Sequence, residues 1–213
     1  MANRSILIFP DQRLKRKSQS VTAFDHELRS LVCDMLDTLE VQMGAGLAAP
    51  QIGVQLRVMI VRCDSFDYIH PISDELHSGM LVLVNPELEL SGKKMMWEES
   101  CLSVPGYRGE VKRSAFANVK YSTLDGREQE IKAAWPLSGA LQHECDHLDG
   151  ILYIDRNMNI KRKICSDIRG SHRRLMKEKR RAKKEARLER IANFDPRTSH
   201  GLGKRLKKKR KKR

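Results

Sequence analysis

Residues 142–147 read Gln-His-Glu-Cys-Asp-His. His143 and His147 are four apart, and on a helix side chains at that spacing share one face, a single turn from each other. Two imidazoles presented this way can hold one metal ion. Glu144 follows the first histidine and can reach the water that such an ion carries. In the H-E-x-x-H arrangement of hydrolytic metalloenzymes the acid is a general base and not a ligand. The competing reading is a surface helix with two solvated histidines.

Catalytic zinc-type sites use three protein ligands and keep one position for water. Two downstream sources are known for H-E-x-x-H helices, and neither is complete here. An H-x-x-G-x-x-H continuation finds Gly150 in place but Tyr153 where the last histidine belongs. A glutamate from a later helix would have to be Glu178 or beyond, inside lysine- and arginine-rich sequence. The third ligand should therefore come from upstream, and the cysteines are the candidates. Cys33 lies in an apolar-periodic helix and reads as core. Cys63 ends a strand-like run. Cys145 is two positions past His143, off the ligand face. Cys165 lies in the basic tail. Cys101 sits among polar and turn-forming residues in Trp97-Glu98-Glu99-Ser100-Cys101-Leu102-Ser103-Val104-Pro105-Gly106. A thiolate there can complete a Cys-His-His site. A half-buried structural thiol is the commoner fate of a free cysteine, and these residues alone leave both readings open.

The elements that must position these groups read as α+β, with antiparallel or mixed sheets packed around a central helix that carries both histidines. Thr22-Ala23-Phe24-Asp25 has the form of a capping-box variant. Leu28, Leu31, Val32, Met35, Leu36 and Leu39 follow at helical spacing, and the helix stops at Gly44. Strand-like runs are expected at 56–62, 80–85, 108–112, 116–123 and 128–132, with Asp125-Gly126 as a hairpin turn. Pro136 suits the first turn of the histidine helix, and Gly150 lies just past its end. Cys101 is expected on a strand or loop. Gly44-Ala45-Gly46-Leu47-Ala48-Ala49 matches the loose nucleotide pattern G-x-G-x-x-A, but that pattern needs a strand before it and a helix after it. A helix precedes it instead, and Pro50 interrupts any helix that would follow. A flexible glycine pair bringing backbone and Gln51 close to a substrate is the better account.

Charge divides the 213 residues in two. Residues 161–213 hold 24 Lys and Arg against 5 Asp and Glu, a balance of +19, while residues 1–160 hold 17 against 22, a balance of −5. The expected division is a catalytic domain over 1–160 and a basic extension over 161–213, helical at first around Ile164 and Ile168 and disordered toward Lys204–Arg213. A solvated tail without a partner is the plain reading of such a run. A phosphate-rich partner is the functional one. No apolar run of 18 residues is present, so no membrane span or membrane partner is expected. Ile6-Leu7-Ile8-Phe9 is too short for a secretory signal. Five cysteines, without a C-x-x-C, suit a reducing compartment.

Three segments line up with one family. Gly44-Ala45-Gly46-Leu47-Ala48-Ala49-Pro50-Gln51-Ile52-Gly53, Glu99-Ser100-Cys101-Leu102-Ser103 and Gln142-His143-Glu144-Cys145-Asp146-His147-Leu148 resemble, in order and separation, the three motifs of peptide deformylases. The likeness runs from about Ile6 to about Asp155. One departure is Ser100, where the family usually has glycine. The resemblance implies a metallohydrolase that removes the formyl group from the N-terminal formylmethionine of new polypeptides. It implies Cys101, His143 and His147 as metal ligands and Glu144 as proton carrier. It further implies the Leu102 backbone N–H and the Gln51 amide as oxyanion donors, and Gly46 as a backbone partner of the substrate. The implied metal is Fe2+, for which Zn2+, Ni2+ or Co2+ can substitute. The basic tail is then expected to bind ribosomal RNA, in a bacterial-type cytoplasm or an organelle that translates with formylmethionine. Two alternatives stay open: another H-E-x-x-H metallopeptidase, or a basic RNA-binding protein with a structural metal site. An intact Glu144 argues against the second, because a structural site has no use for a base.

Overall fold

The computed structural model describes residues 4–63, 79–156 and 160–162. Helix α1 (His26–Gln42) begins where the Asp25 carboxylate accepts the Glu27 and Leu28 N–H groups and ends at Met43 in the left-handed region. The cap is Asp25 itself, so the expected Thr22 capping box is not the device used. One antiparallel sheet follows: β1 (Gly46–Ala48), β2 (Val58–Arg62), β3 (Met80–Cys101), β4 (Val104–Ser122) and β5 (Glu128–Ala134), adjacent in that order. A last strand, β6 (Ile160–Arg162), pairs with β4 at Tyr107–Gly109. Helix α2 (Leu137–Leu148) and the single turn α3 (Tyr153–Arg156) lie between β5 and β6 in the chain.

The core explains the strand run in β2. Val58 and Ile60 face α1, where they meet Leu28, Leu31, Val32, Met35 and Leu39. Met59 and Val61 face α2, where they meet Leu141, Cys145 and Leu148. Both faces of β2 are covered, so its apolar residues run without alternation, as period two requires when neither side is wet. α2 thus packs on one face of the sheet and α1 on the other. A third cluster, Leu14, Cys101, Val104, Val111, Leu152 and Tyr153, closes the region beneath α2. Truncating a fully buried member such as Leu141 or Leu148 costs about 2–5 kcal/mol.

β3 and β4 form one long hairpin whose tip is Leu102-Ser103. The expected runs at 80–85, 108–112 and 116–123 fall within it, apart from Thr123. Register shifts between Val84 and Glu87, between Ser91 and Lys94 and between Glu99 and Cys101 break the pairing. The last of these lies beside the thiol. Thr123–Arg127 makes the β4–β5 turn with Gly126 at φ +79, as the Asp-Gly pair requires. Pro136 is the cap of α2 rather than its first residue. Cys33, expected in the core, is exposed. It sits 100° around α1 from Val32, away from the sheet. Cys63 and Cys145 are buried. Cys165, the helix expected from Ile164 and the charged run to Arg213 lie outside the described residues. Among the described residues no helix is long and apolar enough to cross a membrane.

Candidate metal centre

The ligand atoms of Cys101, His143 and His147 lie within 4.8 Å of one another. Cys101 ends β3 at the hairpin tip, and α2 brings both histidines over it. Cys101 Sγ is 3.2 Å from His147 Nε2. His143 Nδ1 meets Glu99 Oε2 at 2.7 Å. That bond fixes the ring orientation and leaves Nε2 facing the other candidate ligand atoms.

The other expected residues surround this set. Gln51, in the turn Ala49–Ile52, accepts the Ala48 N–H through Oε1 at 2.8 Å. Its Nε2 donates toward Cys101 Sγ at 3.4 Å and Ser103 Oγ at 3.2 Å. Leu102 follows Cys101 in the hairpin turn, its side chain packed against the α1 cluster. Gly46 lies on β1 against the Glu144 side chain, and a Cβ there would stand 2.8 Å from Glu144 Cδ. Gly46 is not a flexible residue: it belongs to a paired strand and needs to be small. Ser100 is exposed and takes an ordinary negative φ. The side chain in place of the family glycine therefore causes no backbone strain.

The electrostatics suit a cation. Burial works to raise the Cys101 thiol, but His147 and His143 outweigh it and hold it well below the usual thiol range. Burial likewise opposes charge on His143, yet Cys101, Glu99 and Glu144 raise its pKa well above that of free imidazole. Burial would also raise Glu99, but hydrogen bonds from His143 and Arg113 bring it to about 2. Glu144 is different: burial lifts it to about 7, against the lowering by His143 and His147. Its Oε2 has no hydrogen-bond partner among the described residues. A thiol held toward its thiolate and two imidazoles form a donor set that suits a borderline divalent ion.

Residues 3–163 match the family model described as polypeptide deformylase. The chain belongs to the polypeptide deformylase family. The peptide deformylase of Thermomicrobium roseum is 43% identical over 157 residues, covering 73% of this chain and 86% of that protein. That of Syntrophobacter fumaroxidans is 42% identical over 164 residues, covering 77% and 92%. The crystal structure of the Legionella pneumophila peptide deformylase superposes with a TM-score of 0.66 at 35% identity, covering 91% of this chain and 100% of that one. The Synechococcus elongatus peptide deformylase, solved in complex with actinonin, gives 0.64 at 31%, covering 75% and 85%. As a deformylase the chain is an enzyme, a hydrolase, and its family uses a divalent metal. The metallopeptidase and RNA-binding alternatives give way to this one.

A buried ion-pair network holds His143, one of the candidate ligands, in place. Arg113, on β4, donates from Nε and Nη2 to the two Glu99 oxygens at 2.6 and 2.9 Å. Its Nη1 donates to Asp146 Oδ2 at 2.6 Å. Arg113, Glu99 and Asp146 are all buried. Glu99 and Asp146 lie inside the recognised motifs, so position flagged them. Arg113 carries no local signal; only the β3–β4 pairing brings it there.

Proposed function

We propose that the chain removes the formyl group from N-terminal formylmethionine as polypeptides leave the ribosome, with Cys101, His143 and His147 holding one metal ion, Fe2+ in the cell. The observation that carries the site assignment is the convergence of one thiol and two imidazoles beside a buried carboxylate with a free oxygen. When bound there, a divalent metal supplies Lewis acidity, enough to lower the pKa of water from 15.7 to about 7.

The chain's own residues do the rest. Glu144 takes a proton from the attacking water at Oε2 and later hands it to the departing amine. A buried carboxyl next to the site can serve both tasks, and such acid–base help is worth typically about 10²- to 10⁴-fold. The Gln51 Nε2–H, now directed at sulfur, and the Leu102 backbone N–H at the hairpin tip are the donors for the oxyanion. Losing one such donor commonly costs about 2.7–4 kcal/mol. Gly46, on β1, offers its backbone to the extended peptide. Arg113 and Glu99 hold His143 with its Nε2 lone pair directed inward.

Residues 161–213 are read as the ribosome anchor. A +19 segment joined to a −5 body is an electrostatic footprint for rRNA phosphates. Aromatic residues are nearly absent from it (Phe194 alone), so base stacking is not its mode. The reading places the enzyme in a bacterial-type cytoplasm or an organelle with formylmethionine translation. The test is formate release from formyl-Met-Ala-Ser by anaerobically iron-loaded protein, with the acetylated peptide as control. Actinonin, which the Synechococcus elongatus enzyme binds, is expected to bind here as well.

A further inference from the structure

α3 is one turn long, yet one of its four residues packs on a candidate ligand and another connects to it through Asp146. Tyr153 and Arg156 are three apart, so they leave the turn on the same side. The Tyr153 ring stacks on His143, with centroids 6.3 Å apart and planes at 29°. His147 meets His143 edge-on at 5.0 Å. The His143 ring is thus confined by Tyr153, by His147 and by the Glu99 hydrogen bond at Nδ1. Tyr153 is 1% exposed, and its hydroxyl has no hydrogen-bond partner among the described residues. The ring is therefore what the site uses.

Arg156 works at longer range. Its Nε donates to Asp146 Oδ2 at 2.6 Å and its Nη2 to Oδ1 at 2.7 Å, a bidentate pair. Asp146 Oδ2 also accepts from Arg113, whose other two donors hold Glu99. The chain of contacts runs Arg156, Asp146, Arg113, Glu99, His143. It contains two guanidinium groups and two carboxylates, so its charges cancel and its geometry is held from both ends. Removing Arg156 would leave Asp146 and Glu99 sharing the single cation Arg113. The turn itself is fixed independently: Asp155 accepts the Leu152 N–H at 2.7 Å and pairs with Lys15.

We propose that α3 is a positioning element of the metal centre, with the Tyr153 ring and the Arg156–Asp146 pair acting on His143 from two directions. The proposal rests on reading Cys101, His143 and His147 as the metal ligands. Neither α3 residue is a catalytic residue in this account; each acts through a ligand. Loss of such outer contacts typically weakens metal affinity 10- to 100-fold.

The experiment follows zinc loss from the zinc-loaded full-length protein into excess chromogenic chelator. Arg156→Met should release zinc about 10-fold faster than wild type. In an Asp146→Asn background, Arg156→Met should add no further acceleration, because its route to His143 is already cut. Tyr153→Leu should also accelerate release, and Tyr153→Phe should restore the wild-type rate. KM for formyl-Met-Ala-Ser should stay unchanged in the Arg156 variant, since Arg156 does not meet substrate. An unchanged release rate in Arg156→Met, or equal acceleration with and without Asp146, overturns the Arg156 route. Equal acceleration by the Leu and Phe variants overturns the role of the Tyr153 ring. A wild-type protein that takes up no zinc overturns the ligand assignment instead, so the two failures are distinguishable.

Discussion

Gly46→Ala probes the contact between β1 and Glu144, the proposed proton carrier. The added methyl would stand 2.8 Å from Glu144 Cδ and 2.9 Å from Cγ, and closer still to Oε1, where ordinary contacts begin at 3.4 Å. Something must move by at least about half an ångström. β1 is poorly placed to give way. It pairs with β2 through Gly46–Val61, Leu47–Ile60 and Ala48–Met59, and Leu47 and Ala48 are fully buried. The Glu144 carboxylate is the movable partner. Displacing a catalytic group by about 1 Å costs on the order of 100-fold, so a loss of about 10- to 100-fold in kcat/KM is expected, or about 1.4–2.7 kcal/mol. The assay is coupled formate release from formyl-Met-Ala-Ser, run beside metal analysis and thermal unfolding. Metal content and Tm should stay near wild type while turnover falls. Activity within threefold of wild type, or a loss fully matched by lost metal, would refute the reasoning.

Glu144→Ala should retain stoichiometric metal yet lose turnover by about 10²- to 10⁴-fold; activity within tenfold would show that another group carries the proton. Glu99 has a folded-state pKa of about 2 against an ordinary 4.5. Its contribution to stability is therefore complete above about pH 4.5 and is lost as the pH falls through about 2. Urea unfolding of the metal-free protein should show that loss, and Glu99→Gln should flatten it; equal acid sensitivity in the variant would contradict the assignment. A chain ended after Lys163 keeps β6 and should hydrolyse short formyl peptides nearly as well as the full chain, but should no longer co-sediment with ribosomes. Co-sedimentation of the full chain should weaken steeply between about 50 and 200 mM salt, and insensitivity to salt would remove the tail from that role.

The parts legible from sequence are those whose signal is local. The histidine pair reports its own helix, because four residues make one turn. The Leu28–Leu39 stripe reports α1, and Asp125-Gly126 reports its turn. The middle of the β3–β4 hairpin carries little strand signal, because Pro86 to Met96 includes Gly92 and several charges and much of that stretch faces water. Without a buried face there is no alternation to read. β1 carries no strand signal, since three residues are too few to show a period. Cys33 lies beside the apolar Val32 and near Met35, and the 100° step from Val32 turns it to solvent. Arg113 was invisible for a different reason. Its partners Glu99 and Asp146 are 14 and 33 residues away, and only strand pairing and helix docking make them neighbours.

The most direct test of the central claim is metal stoichiometry and formate release measured on the same anaerobic samples of wild type, Cys101→Ala and His147→Ala. The account predicts one divalent ion per wild-type chain, loss of activity when that ion is chelated, and its return when Fe2+ is restored. It predicts that neither variant retains tight metal or turnover. Stoichiometric metal in both variants, or wild-type formate release that survives complete metal removal, would contradict it.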